Sequence, residues 1–293
     1  MQEIAERIRA RALELLANGS VARVLGWEKG ETETDRTPAL FENADEMKNF
    51  VYDEYTGANL SKFAFKLKRL EGRTLVVLKP CDTLSFRQLL KEHRMEKDGF
   101  YIVGAGCKGM KDENGLLAKC ECCKGKEFEI FDEIIDDEES RRPIAAADRM
   151  SEVARLEKMT AEERYAFWRN ELSRCIRCNA CRNVCPACTC EKCVFDNNAS
   201  GAATKAPVTD FEENMFHIIR AYHVAGRCTD CGECSRVCPQ RIPLHLLNRK
   251  FIKDMNELYG SYQAGEGEEE RTPMTSYTKT DADPAIVKER GNA

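Results

Sequence analysis

Several things are missing from this sequence. No apolar run approaches the roughly 18 residues that a membrane-spanning helix needs. The amino terminus, MQEIAERIRARALELLANG, has neither a basic leading segment nor an apolar one, so no export signal is expected. Charge of either sign is hardly in excess: 45 basic against 50 acidic side chains leave −5 over 293 residues, which does not favour nucleic acid as a partner. No Ser-His-Asp set and no pair of catalytic carboxylates stands out. Cysteine, by contrast, is abundant, with sixteen in the chain. Without export these thiols meet a reducing, cytoplasmic compartment, where such a number serves metal binding rather than disulfides.

The first half reads as α/β. Ile4, Ile8, Ala12 and Leu15 fall at helical spacing up to Asn18-Gly19, and residues 21–27 (VARVLGW) suit a strand. Asn43 with Glu46 has the form of a capping box before Met47, Phe50 and Val51, and a further helix is expected over 61–70. Residues 74–79 (TLVVLK), 83–95 and 100–103 read as strand, helix and strand, a βαβ unit with its two strands parallel. Parallel neighbours present their carboxyl ends at one sheet edge, so Cys81 and Cys107 are brought toward one place. Cys120, Cys122 and Cys123 follow shortly after. Cys81, Cys107, Cys120 and Cys123 make a four-thiolate set, with Cys122 as the alternate for either of the last two.

Residues 132–142 (DEIIDDEESRR) read as a solvated linker, and the chain divides into an α/β domain with a small parallel sheet (1–142), a helical domain (143–263) and a disordered tail (264–293). The fold class is therefore α+β. Thr160 with Glu163 caps a helix carrying Phe167, Trp168 and Leu172. Two more helices are expected, over 210–225 with the stripe Phe211, Met215, Ile218, Ile219 and Tyr222, and after the last cysteine with Leu244, Leu247, Phe251, Met255 and Leu258.

Two cysteine runs share one spacing: Cys175-x-x-Cys178-x-x-Cys181-x-x-x-Cys185-Pro186 and Cys228-x-x-Cys231-x-x-Cys234-x-x-x-Cys238-Pro239. Three thiols on a tight loop can face three irons of a cubane, while the fourth departs toward a different cluster. One [4Fe–4S] cluster is thus assigned Cys175, Cys178, Cys181 and Cys238, and the other Cys228, Cys231, Cys234 and Cys185. Tetrahedral zinc favours two CxxC pairs across a longer loop and explains neither the repeat nor the prolines. Cys81, Cys107, Cys120 and Cys123 are read as a third cluster, which leaves Cys188, Cys190, Cys193 and Cys122 for a further, fourth centre.

With helices before, between and after the runs, the second half resembles the alpha-helical ferredoxin segments of heterodisulfide reductase and respiratory iron–sulfur subunits; RAYHVAGRCTDCGECSRVCP carries that likeness. CPACTC and Pro80-Cys81-Asp82 resemble anaerobic sulfite reductase and sulfhydrogenase subunits. PALFENADEMKNFVYDEY and GRTLVVLKPCDTLSFRQLL resemble the beta subunits of deazaflavin-reducing hydrogenases and formate dehydrogenases.

These resemblances imply an electron-transfer subunit of an anaerobic multi-subunit oxidoreductase, with other redox subunits as partners, including flavin-, hydrogenase- or formate dehydrogenase-type ones. The alternative is a flavin-containing reductase that holds FAD, exchanges hydride with a nicotinamide or a deazaflavin and feeds the clusters. Those beta subunits usually carry the ferredoxin segment first and a longer flavin-binding region last, whereas here the order is reversed and the leading domain is short, so FAD is not carried over. Gly104, Gly106 and Gly109 match GxGxxG after a strand, but MKDENG leads into a turn where a phosphate-holding helix should start. His217 and His223 read as packing or backbone-bonded residues. Arg174, Arg177, Arg182, Arg227 and Arg236 flank the runs, where they offset cluster charge or are simply solvated.

Overall fold

The computed structural model describes residues 1–144, 147–196 and 210–268. Its first half is built on a mixed sheet. Strand β1 (Arg23–Lys29) pairs antiparallel with β2 (Arg36–Phe41) and with the short β3 (Phe50–Val51), and parallel with β4 (Thr74–Leu78). β4 pairs parallel with β5 (Phe100–Ala105) in the register Val76↔Ile102. The expected parallel sheet is therefore present and is extended by antiparallel strands on one side. Pro38 sits in β2, at the sheet edge, where a missing N–H removes no interior ladder bond.

Helix α1 (Gln2–Ala17) buries Ile4, Ile8, Ala12 and Leu15 against this sheet. The segment expected as a helix after Asn43 is a single 3-10 turn, Glu46–Asn49: Asn43 Oδ1 accepts from Glu46 N–H at 3.0 Å, but the chain then runs straight into β3. α2 (Ser61–Leu67) is shorter than expected. α3 (Pro80–Lys91) starts three residues earlier than expected because Pro80, lacking an N–H, takes the first helical position. A hairpin, β6 (Lys111–Asp112) and β7 (Gly115–Leu116), leads to the one-turn α4 (Ala118–Glu121).

The acidic run is not a linker. Glu133–Ile135 forms β8, parallel to β5 at the sheet edge, followed by α5 (Glu138–Arg141) with an Asp137–Ser140 capping box. Its charge is satisfied from within: Arg11 Nε donates to Glu133 at 2.9 Å, and Tyr101 Oη donates to the same carboxylate at 2.9 Å. Gly106 allows the approach, since a Cβ there would meet Ser140 Oγ at 2.4 Å and Asp136 Cα at 2.9 Å.

The second half is helical: α6 (Ser151–Glu157), α7 (Ala161–Ser173), α8 (Ala180–Asn183), α9 (Asp210–His223), α10 (Glu233–Arg236) and α11 (Leu244–Tyr259). The Thr160–Glu163 capping box starts α7 as expected. The stripe expected to bury α9 does the reverse. Phe211, Met215, Ile218 and Tyr222 are exposed, and the inward face holds Asn214, Phe216, His217, Arg220 and Ala221. On α11 the buried side is Leu244, Asn248, Arg249, Ile252 and Met255, while Leu258 faces out. Ala264 is buried and Gly265 abuts the Leu84 carbonyl, so residues 264–268 pack on the fold; the rest of the expected tail, from 269, lies outside the described residues. No helix among the described residues is long and apolar enough to cross a membrane.

Candidate metal centres

The two cysteine runs have one backbone. Arg177 and Asp230, each two residues after the first cysteine, have φ of 55° and 53°; Asn179 and Gly232, each just after the second, have 61° and 71°. Left-handed conformations cost a non-glycine residue about 1–2 kcal/mol, so Arg177, Asn179 and Asp230, with Gly232 at the fourth matching place, are not accidents of a loose loop. They turn backbone donors onto sulfur: Arg177 N–H lies 3.3 Å from Cys175 Sγ, and Asp230 N–H 3.4 Å from Cys228 Sγ. Asn179 and Gly232 then cap α8 and α10, which hold Cys181 and Cys234 buried.

The fourth cysteine of each run lies near cysteines of the other. The charge of Cys185 acts on Cys228, Cys231 and Cys234 of the other run, and those of Cys178 and Cys238 act on Cys181. Cys234 also acts on Cys181, so the two groups adjoin there. Burial pushes the thiols of Cys181 and Cys234 up to about 11, and that of Cys231 well above its ordinary value. Such thiols stay protonated near neutrality unless a cation displaces the proton.

A third gathering lies at the carboxyl end of the sheet. Cys81 on the first turn of α3, Cys107 after β5, Cys120 on α4 and Cys123 line one small cavity. Gly109, at φ 94°, sets its N–H 3.4 Å from Cys107 Sγ, and Met110 N–H lies 3.3 Å from Cys120 Sγ. Here too main-chain donors point at sulfur, and the Gly109 N–H does so two residues on from its cysteine, as in both runs. Lys119, Lys124 and Lys126 border the space, and Lys79 is fully buried beneath it, 2.7 Å from Asp82 and over the Trp27 ring. Cys231 and Asp230 line the same cavity from the helical half. Cys122 is not among its lining residues; it accepts a hydrogen bond from Arg249.

The residues grouped for a fourth centre have unlike surroundings. Cys185 donates to Cys188, which holds the Cys188 thiol below its ordinary value, with Arg220 and Lys62 adding to the effect. Arg182 donates to Cys193, and Cys190 is exposed. Among the described residues no three His, Cys, Asp or Glu groups are placed to hold a single metal ion.

The flanking arginines are mostly spoken for. Arg174 pairs with Glu171, Arg182 with Asp196 at 2.8 Å, Arg227 Nε with Glu92 at 2.8 Å and Arg236 with Glu233 at 2.8 Å. The Arg177 guanidinium lies 4.1 Å from the Phe216 ring centre. His223 stands near Phe195, as a packing residue. His217 is buried against the Phe216 ring with neither ring nitrogen partnered among the described residues, so of the two expectations it packs and makes no backbone bond; burial pushes it down to about 3, and Arg220 and Arg177 act in the same direction. Sequence reading missed Arg220, Lys62, Lys79 and Lys119. Their one signal was an ionisable residue at a position whose neighbours in the pattern are buried.

Comparison with known proteins agrees with this geometry. Residues 171–242 match the 4Fe-4S dicluster domain. The chain is an iron–sulfur electron-transfer protein. It is similar to the F420-dependent formate dehydrogenase subunit beta of Methanocaldococcus jannaschii, at 23% identity over 331 aligned positions that cover 82% of this chain and 86% of that protein. It is also similar to the F420-dependent formate dehydrogenase 1 subunit beta of Methanococcus maripaludis, at 33% identity over 103 positions, 32% of this chain and 25% of that one. The likeness therefore reaches well beyond the cysteine runs.

Proposed function

We propose that this chain works in the cytoplasm as the iron–sulfur subunit of a formate dehydrogenase-type complex, with three [4Fe–4S] clusters and other redox subunits as its partners. Cys175, Cys178, Cys181 and Cys238 would hold one cluster, Cys228, Cys231, Cys234 and Cys185 the second, and Cys81, Cys107, Cys120 and Cys123 the third. Bound clusters of this kind supply one-electron oxidation and reduction. The chain's own part is to fix spacing, exclude water and set charge around the sulfurs. The observation that carries the reading is the repeated device of a backbone N–H two residues on from a cysteine and aimed at its sulfur, at Cys175, Cys228 and Cys107. Because Cys231 lines the cavity of the third quartet, and Cys234 adjoins Cys181, the three quartets follow one another through the molecule.

Protein purified without oxygen should contain about twelve irons per chain and give paramagnetic signals on reduction. Stoichiometric zinc with no such signal would overturn the reading.

One observation favours a second reading, in which the chain is a reductase that holds FAD and exchanges hydride with a nicotinamide or a deazaflavin. A cavity of about 520 Å³, within the usual range for cofactor sites, adjoins the third quartet and shares Cys81, Cys123 and Lys124 with it; Arg149 and Tyr262 line its other side. Acid extraction decides between them. A yellow chromophore with flavin fluorescence supports the second, and iron with no extractable flavin supports the first.

A further inference from the structure

Arg220 occupies an unusual position. It lies on the inward face of α9, its residue is 2% exposed, and its Nε, Nη1 and Nη2 atoms have no hydrogen-bond partner among the described residues. Arginine does not lose its proton in proteins, so the charge is permanent. A buried cation without an anion is penalised by several kcal/mol, and the inward residues beside it on α9, Asn214 and His217, carry no negative charge. The groups that act on it most strongly are sulfurs: Cys234, Cys181, Cys185 and Cys188, in that order. Cys181 belongs to one quartet, and Cys234 and Cys185 to the other. The arginines next to the runs in sequence each have a carboxylate or an aromatic ring as partner, even where, like Arg182 with Cys193, they also reach a sulfur.

We propose that Arg220 is the shared counter-cation of the two ferredoxin-type clusters, a positioning residue whose buried guanidinium charge holds both reduction potentials up. This rests on the dicluster reading above. Four thiolates around an oxidised cubane leave a net dianion, and reduction adds another negative charge. A fixed positive charge between two such groups stabilises the reduced form of each, and burial leaves it little screened by salt. The planar fork of five donors suits two acceptors on different sides, which a lysine cannot match.

The test is a redox titration of the anaerobically purified full chain followed by electron paramagnetic resonance, comparing wild type with Arg220→Gln and Arg220→Lys. Arg220→Gln should keep its iron and lower both midpoints, with the ratio of reduced to oxidised cluster at a fixed potential falling about tenfold, which is about 59 mV for a one-electron couple. Arg220→Lys, with one compact charge, should hold one midpoint close to wild type and lower the other. Should Arg220→Gln fail to retain iron, the lysine variant carries the test alone. Unchanged midpoints in a variant that retains both clusters overturn the proposal. So does loss of iron from both variants, which would make Arg220 an assembly residue. Absence of cluster signals in the wild type would instead sink the dicluster reading itself.

Discussion

Lys119 of α4 and Glu233 of α10 form an ion pair at 2.7 Å across the two halves of the molecule, with Glu233 fully buried. Arg236 takes the other carboxylate oxygen at 2.8 Å, and Lys119 sits between Cys120 and the second cysteine run. Lys124 adds a contact to the Thr229 carbonyl, and Ser85 Oγ lies 2.7 Å from Thr229 Oγ1. These polar contacts join the group of Cys81, Cys107, Cys120 and Cys123 to the dicluster region.

Glu233→Gln removes one charge from this buried triad and leaves two cations opposed. We expect a loss of about 3–5 kcal/mol in unfolding free energy, read by urea denaturation under anaerobic conditions. Lys119→Met should cost less, because Arg236 still neutralises Glu233. Equal stability of Glu233→Gln and wild type would show that the pair does not tie the halves.

Replacement of Cys81 or Cys107 with serine should lower iron by about four per chain, one cubane. Cys122→Ser should leave the count unchanged, because Cys122 faces Arg249 and not the cavity. Metal analysis of the three variants checks this directly. Loss of iron from Cys122→Ser as well would move the ligand from Cys123 or Cys120 to Cys122, and unchanged iron in Cys81→Ser and Cys107→Ser would remove the third cluster.

Equivalent loop positions should respond unequally. Asn179→Gly keeps the left-handed backbone and should change stability by less than about 1 kcal/mol. Gly232→Asn could adopt the φ of 71°, but its Cβ would come 2.8 Å from Lys119 Cβ. A loss of about 1–3 kcal/mol is expected from such overpacking. Thermal melts of the two holo variants distinguish them.

Acid should act partly through His245. Its ring Nδ1 lies 2.8 Å from Ser235 Oγ, and burial pushes it from its usual 6.5 down to about 4, with Arg249 acting in the same direction. The folded state thus favours the neutral ring. Its stabilising effect is complete above pH 6.5, declines as pH falls through the window from 6.5 to about 4, and is gone below it, with the unfolded chain taking up the proton first. His245→Gln should therefore flatten stability against pH in that window. An unchanged slope in chemical denaturation from pH 7 to about 4 would refute the assignment.

Local chemistry was legible in the residues. The two CxxCxxCxxxCP runs set their own loops, since ligand spacing on a tight turn is a short-range property. The Thr160–Glu163 box and the βαβ unit that brings Cys81 and Cys107 to one sheet edge are likewise fixed by neighbours in sequence. What the tertiary structure alone decided is which face of a helix turns inward and which charge finds a partner. The acidic run became a strand because Arg11 and Tyr101, distant in sequence, satisfy Glu133. α9 buried Arg220 beside Phe216 and left Phe211 and Ile218 outside, because its inward face meets α7, α11 and cysteine thiols together. Apolar periodicity assumes an oily interior; where the interior also holds thiols and a buried guanidinium, the pattern alone does not fix which face turns inward.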